Sequence, residues 1–186
     1  EFVGMPPEEV EKLLESPIHE VRAGGLSIMD KQARRKRTPE SRRKELFDLY
    51  MRRTDRINNW DLVDVACPYV VGDYLSDKPR DVLYELARSR SIWERRTAIV
   101  STYFFIRQGD VDDTFRIAEV LLDDQEDLIH KAAGGRLREA GKKDRGRLRT
   151  FLDEHAARMP RTMLRYAIEH LDKVERKHSL SMKKTG

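Results

Sequence analysis

Trp60 and Asp64 are the residues whose types and spacing most directly suggest chemistry. They stand four residues apart in a helical pattern of apolar residues, so their side chains lie on one face of a helix, about one turn apart. A carboxylate stabilises a nearby cation by its charge, and an aromatic face adds a cation–π attraction of about 1–2 kcal/mol where water is excluded. The alternative is structural: a core tryptophan beside an aspartate that caps a helix or forms a salt bridge.

Basic residues form a second candidate site. The net charge is only +4 although the isoelectric point is about 9.2, so an anion site must be a local basic face. On the helices expected to line one surface, recurring cations predict salt-dependent contacts with the phosphates of duplex DNA. The candidates are Arg96, Lys131, Arg136, Arg138, Arg161 and Arg165. The alternative is solvated helix surface, the usual state of a charge run. We expect Arg96 to be exposed and Trp93, three residues earlier, to belong to the core.

The elements that position these residues are predicted to be helices. Apolar residues recur with helical spacing nearly everywhere, and no segment combines strand alternation with turn dipeptides. The helices come in pairs with short connections, and the last is expected to run from residue 159 to about residue 177. Residues 18–22 (IHEVR) resemble residues 92–96 (IWERR) at an offset of 74, and residues 129–131 (IHK) follow 37 later, which predicts a repeat of about 37 residues.

Repeats of this length predict an all-α fold, an α-α superhelix or solenoid of stacked helix pairs. The second helix of each pair begins near residues 18, 60, 92, 129 and 159, and these helices are expected to share a concave face. We expect one domain over residues 1–177 and a polar C-terminal tail over residues 178–186.

Composition excludes several classes of function. Apolar residues make up 39% of the 186 residues and charged residues 38%, with no run near the roughly 20 apolar residues that a membrane-spanning helix needs. The single cysteine, Cys67, excludes an intramolecular disulfide and a cysteine-cluster zinc site, and we expect it to be buried and inert. The histidines lack metal-binding spacing. We therefore expect a cytoplasmic protein with no metal or organic cofactor.

Four segments, in order along nearly the whole chain, resemble the AlkD-type DNA alkylation repair glycosylases. They are residues 58–64 (NNWDLVD), 93–99 (WERRTAI), 131–139 (KAAGGRLRE) and 159–169 (MPRTMLRYAIE). The resemblance implies HEAT-like helix pairs that cradle duplex DNA, and base excision repair by hydrolysis of the N-glycosidic bond of cationic 3- and 7-alkylpurines. By position, it implies that Asp64 is the catalytic carboxylate, that Trp60 lies against the deoxyribose, and that Arg96 grips the backbone with support from Arg138.

The sequence departs from the family pattern at two places. Family members carry a second tryptophan where this chain has Gly135, so one aromatic wall is missing and we expect reduced activity. They also carry an earlier helical pair, which we expect this chain to lack. The first hypothesis is a monomeric glycosylase acting on duplex DNA that contains alkylated bases, with no membrane and no obligate protein partner. The alternatives are a non-catalytic relative that recognises distorted or branched DNA, and a protein-binding solenoid.

Overall fold

The computed structural model describes residues 4–182, and within that range the chain is all-helical, with no strand. The helices alternate between two layers of an α-α superhelix, as predicted. One layer holds the odd-numbered helices α1 (Pro7–Glu15), α3 (Glu40–Arg52), α5 (Asp81–Ala87), α7 (Asp112–Val120) and α9 (Arg145–His155). The other holds the even-numbered helices α2 (His19–Arg34), α4 (Trp60–Cys67), α6 (Ile92–Gln108), α8 (Asp127–Lys143) and α10 (Arg161–Ala167). A last helix, α11 (Lys173–Ser181), follows.

The even-numbered helices stack directly on one another, α2 on α4, α4 on α6, α6 on α8 and α8 on α10. These are the helices expected to share a face. A π-helical segment, Pro68–Asp73, extends α4 and packs against α2 and α6. One apolar core runs between the two layers along the chain. None of the helices within residues 4–182 combines the length and apolar character that crossing a membrane requires.

The repeat is real, but its register differs from the predicted one. The N-caps of the five even-numbered helices follow one another at intervals of 41, 32, 35 and 34 residues, which bracket the predicted 37. Arg22 therefore corresponds to Arg95 and not to Arg96. Each of these two arginines donates to the carbonyl oxygens five and six residues earlier, 2.9–3.1 Å away. His130 binds the Asp124 carbonyl in the same way. The shared role is to close the turn between paired helices.

The prediction of a single last helix over residues 159–177 is wrong, because the structure has two helices in this region. α10 ends at Ala167 and α11 begins at Lys173. The Asp172 side chain accepts from the backbone N–H groups of Val174 and Glu175 at 2.9 Å, and Glu175 accepts in return from the Asp172 N–H, which completes a capping box. The expected domain boundary at residue 177 falls inside α11, and residues 183–186 of the expected tail lie outside the described residues.

Glycine allows a close contact between α8 and α10. A Cβ atom on Gly134 would collide with the carbonyl oxygen of Met163 and lie 2.7 Å from the Cβ of Tyr166, so α8 and α10 approach as closely as they do only because residue 134 lacks a side chain. Gly135 has open space around it. α8 continues through both residues despite the helix-weakening effect of glycine.

Candidate functional site

The N-terminus of α4 is held in place by short polar contacts. The Asn59 side chain accepts a hydrogen bond from the Trp60 N–H at 2.7 Å, and Asn58 accepts one from Arg22 of α2 at 3.2 Å. In the first turn, Asp61 lies 2.7 Å from the ring of His19. These contacts tie the start of α4 to α2, and they fix the direction in which Trp60 and Asp64 leave the helix.

Trp60 is not a core residue. Its side chain is 52% exposed, one of a few large hydrophobic side chains on the surface of the described residues. Asp64, one turn later, keeps a third of its side chain exposed. The alternative interpretation of Trp60 as a core tryptophan is therefore wrong, because half of the residue is exposed and its ring is available to a ligand. Trp93, which was expected in the core, is only partly buried and packs against the edge of the core.

Asp64 forms a two-pronged ion pair with Arg96 of α6. The Nε and one terminal nitrogen of Arg96 donate to the two carboxylate oxygens at 2.8 and 2.7 Å, and the other terminal nitrogen donates to the Leu128 carbonyl of α8 at 2.9 Å. This fork geometry is the strong form of an arginine–carboxylate contact. One guanidinium thereby joins three successive even-numbered helices.

The expectation that Arg96 is exposed is wrong. Only 8% of the residue is accessible, because its guanidinium is enclosed between Asp64 and the start of α8. The resemblance implied that Arg138 supports Arg96 in holding the DNA backbone, and within the protein itself the two arginines have different partners. Arg138 instead forms ion pairs with Glu139 and Glu169. Arg96 and Arg138 are on different helices, and the acidic partners of Arg138 lie on its own helix and beyond α10.

Arg136 of α8 lies close enough to the Asp64–Arg96 pair to be affected by both charges. Its guanidinium lies 5.0 Å from the centre of the Tyr103 ring on α6, and its buried Nε has no hydrogen-bond partner in the part of the chain that the structure describes. Burial lowers the pKa of Arg136 from its ordinary value, while the charge of Asp64 acts in the opposite direction. The cation therefore sits within electrostatic range of the Asp64–Arg96 pair. Sequence reasoning listed Arg136 only among the cations expected to bind DNA, and it missed Tyr103.

The remaining basic candidates are spread along the same layer. Lys131 is exposed and pairs with Asp127 at 2.7 Å. Arg161 is exposed, and its guanidinium donates to the Leu180 carbonyl at 3.3 and 3.4 Å. Arg165 is exposed, with no ion pair to an acidic side chain within residues 4–182. The structure thus gathers Trp60, Asp64, Arg96 and Arg136 into one site and leaves the other cations as a surface beside it.

Cys67 lies one turn after Asp64 and is fully buried. Burial, together with the charge of Asp64, raises the pKa of its thiol far above the ordinary value. A protonated, inaccessible thiol is a poor nucleophile. Cys67 is therefore part of the packing behind the site, as expected, and the carboxylate is the group that faces solvent.

The sequence matches one family model, described as DNA alkylation repair enzyme, over residues 5–171. A search of curated proteins finds no significant match to the chain. The family match extends from the start of α1 to the turn after α10, and so includes every residue of the site.

Proposed function

The chain belongs to the DNA alkylation repair enzyme family, and we propose that within it this protein is a DNA glycosylase that hydrolyses the N-glycosidic bond of cationic 3- and 7-alkylpurines in duplex DNA. The observation that carries the proposal is an exposed indole one helical turn from a carboxylate that is one-third exposed and whose two oxygens are fixed by a buried arginine.

The proposed chemistry follows from the leaving group. An alkylated purine already carries a positive charge, so it departs without a strong general acid. The sugar that remains resembles an oxocarbenium ion, as in glycoside hydrolysis. Asp64 stabilises this cation and orients the attacking water, and the face of Trp60 adds a cation–π attraction. Each carboxylate oxygen has two lone pairs, so the oxygens can accept from water while they are held by Arg96.

In this proposal Arg96 is a positioning residue. Its fork fixes the carboxylate plane, and its bond to the Leu128 carbonyl fixes the guanidinium in turn. Lys131, Arg161 and Arg165 would contact phosphates from the surface beside the site. Trp60 would lie against the deoxyribose of the lesion, and no metal or organic cofactor is invoked.

The test is release of 7-methylguanine from methylated duplex DNA. We expect wild-type protein to release the base and Asp64→Asn to lower the single-turnover rate by about 10²–10³-fold, the usual cost of removing one preorganised electrostatic contact. Asp48→Asn is the matched control, because Asp48 lies on α3 and pairs with Lys44. Retained release by Asp64→Asn would contradict the proposed role of the carboxylate.

A second candidate function is a DNA-binding protein without catalysis. It is favoured by the charge of Arg136 close to Asp64, which opposes the approach of a cationic base, and by the open space at Gly135. The variant Gly135→Trp distinguishes the two functions. The open space around residue 135 admits a side chain, so the variant can supply the missing aromatic wall. A higher rate in this variant would identify the missing aromatic wall as the limit on catalysis. No release by the wild-type protein, with duplex binding intact, would favour the binding protein.

A further inference from the structure

The even-numbered helices carry two rows of charged residues at equivalent positions. The fifth residue after the N-cap is Asp64 on α4, Arg96 on α6, Lys131 on α8 and Arg165 on α10, which we call the N-terminal row. The sixteenth residue after the N-cap is a cation on three of these helices. These residues, which we call the C-terminal row, are Arg34 on α2, Arg107 on α6 and Lys142 on α8.

The two rows share one face of the molecule. The eleven residues that separate Arg96 from Arg107 on α6 correspond to about three helical turns, so both side chains leave the helix in nearly the same direction. At 1.5 Å per residue, the rows are about 16 Å apart along the helix axis. The grooves of B-form DNA are about 12 and 6 Å wide. Two rows at this distance can therefore reach backbones on opposite sides of a groove.

The C-terminal row is organised around one aromatic ring. The guanidinium carbon of Arg34 lies 3.6 Å from the centre of the Tyr69 ring, in the π-helical segment between α4 and α5. Arg107 donates a hydrogen bond to the Tyr69 hydroxyl. The Tyr69 ring itself packs edge-on against Phe104, with ring centres 5.6 Å apart. Residues of α2, of the π-helical segment after α4 and of α6 thus fix two guanidinium groups around a single phenol.

The two arginines of this cluster carry more positive charge and more N–H donors than the neighbouring acidic and acceptor groups use. One carboxylate, Asp30, accepts from the Nε of Arg34 at 2.9 and 2.7 Å, and no second acidic side chain pairs with Arg34 or Arg107 in residues 4–182. An arginine has five N–H donors. Arg34 uses only its Nε among the described contacts, and Arg107 uses one terminal nitrogen. The Arg34 side chain is half exposed. Free donors and a net positive charge fit an anion with several acceptor oxygens, such as a phosphodiester.

We propose that the C-terminal row binds phosphates of the DNA strand complementary to the one that faces Asp64. The inference rests on the proposed function, and it adds that the protein recognises the duplex by holding both backbones at once. Lys142 extends the row to α8, where it lies beside Glu139 at 2.8 and 3.0 Å. α4 has no cation in the row, and Tyr69 of the π-helical segment that extends α4 lies between Arg34 and Arg107 instead.

The experiment measures DNA affinity as a function of salt for a short duplex and for one of its single strands. The main variant is Arg107→Gln with Lys142→Gln, because neither change leaves a buried carboxylate without a partner. We expect its log–log salt slope on the duplex to be smaller than that of wild type by about 2, one for each lost phosphate contact, and its binding to single-stranded DNA to be unchanged. The matched control is Arg88→Gln with Arg116→Gln, two exposed arginines at α5 and α7 of the odd-numbered layer.

A strand-resolved measurement completes the test. Neutral methylphosphonate linkages are placed singly along each strand, and the loss of wild-type affinity at each is recorded. We expect the double variant to lose sensitivity at linkages of the complementary strand only. Equal loss on duplex and single strand, or unchanged sensitivity on the complementary strand, would overturn the proposal. Arg34→Gln with Asp30→Asn provides a second variant of the same row. Failure of the proposed function alone would leave these binding results intact and abolish base release.

Discussion

Arg96 connects three helices, because it belongs to α6, pairs with Asp64 of α4 and donates to the Leu128 carbonyl of α8. We predict that Arg96→Ala lowers the free energy of unfolding by about 3–5 kcal/mol, the usual cost of removing one partner of a buried ion pair. Urea denaturation measures the change. Lys44→Ala is the control, because Lys44 forms an exposed pair with Asp48 of the kind that contributes about 0–1 kcal/mol. If Arg96→Ala lowered the free energy of unfolding by no more than Lys44→Ala does, Arg96 would not hold the three helices together as described.

Trp60 is expected to separate activity from stability. More than half of its side chain is exposed, so Trp60→Ala removes little buried surface and should change the melting temperature only slightly. The lost cation–π attraction of about 1–2 kcal/mol predicts a base-release rate lower by about 5–30-fold. Trp93→Ala is the comparison, because Trp93 packs against the core and should lose stability first. A large loss of stability in Trp60→Ala would show that the ring supports the fold.

At the scale of elements, the adjacent glycines of α8 make opposite predictions. Gly134→Ala places a Cβ against the Met163 carbonyl and so should destabilise the protein by about 1–3 kcal/mol, as overpacking does. Gly135→Ala meets open space and should stabilise the helix by up to about 1 kcal/mol. Thermal denaturation of the two variants side by side tests the pair. Equal effects would mean that α8 and α10 are not packed as closely as the structure shows.

The attachment of α11 should depend on pH. Arg145, and then Arg149 at 2.5 Å, lower the pKa of Glu175 to about 2. The folded pKa of Glu175 lies below the ordinary value near 4.5. The stability that the ionised Glu175 carboxylate gives to the folded state is therefore fully present above pH 4.5, and it is lost as the pH falls toward 2. We predict that amide hydrogen exchange in α11 accelerates in this window before the rest of the chain unfolds. Glu175→Gln should show fast exchange at every pH. An α11 that stays protected at pH 2 would contradict the prediction.

Local patterns predicted most of these elements, and long-range contacts account for what they missed. Helical periodicity placed the start of α6 at its observed residue, and it placed Trp60 and Asp64 on one face, because both depend on neighbours in sequence. The burial of Arg96 depends on Asp64, 32 residues away, and no local pattern indicates it. The break before α11 did have a local signal, the D-K-V-E capping box at residues 172–175, which the apolar spacing on either side obscured. The one-residue error in repeat register arose because adjacent arginines, Arg95 and Arg96, point to different partners.

At the scale of the whole molecule, the two layers divide the charges between them. On the odd-numbered layer, several arginines are paired with carboxylates between helices, such as Arg52 at the end of α3 and Arg53 just after it with Glu11 of α1. On the even-numbered layer, the exposed cations of the two rows are only partly paired. The two rows thus place several exposed cations on one face, and Arg107 and Arg165 among them have no acidic partner within residues 4–182. This distribution favours a polyanion as the ligand of the even-numbered layer over a neutral protein surface.

The same distribution predicts how DNA affinity responds to salt. If each row neutralises two or three phosphates, duplex binding should weaken with a log–log salt slope of about −4 to −5. The rows are about 16 Å apart, far enough for their contributions to add. We therefore expect Lys131→Gln with Arg165→Gln to remove about 2 from the slope, and the combination with Arg107→Gln and Lys142→Gln to remove about 4. Fluorescence anisotropy over a range of salt concentrations measures each slope. A wild-type slope near zero would mean that the face binds a protein, and strongly non-additive losses would mean that one row acts through the other.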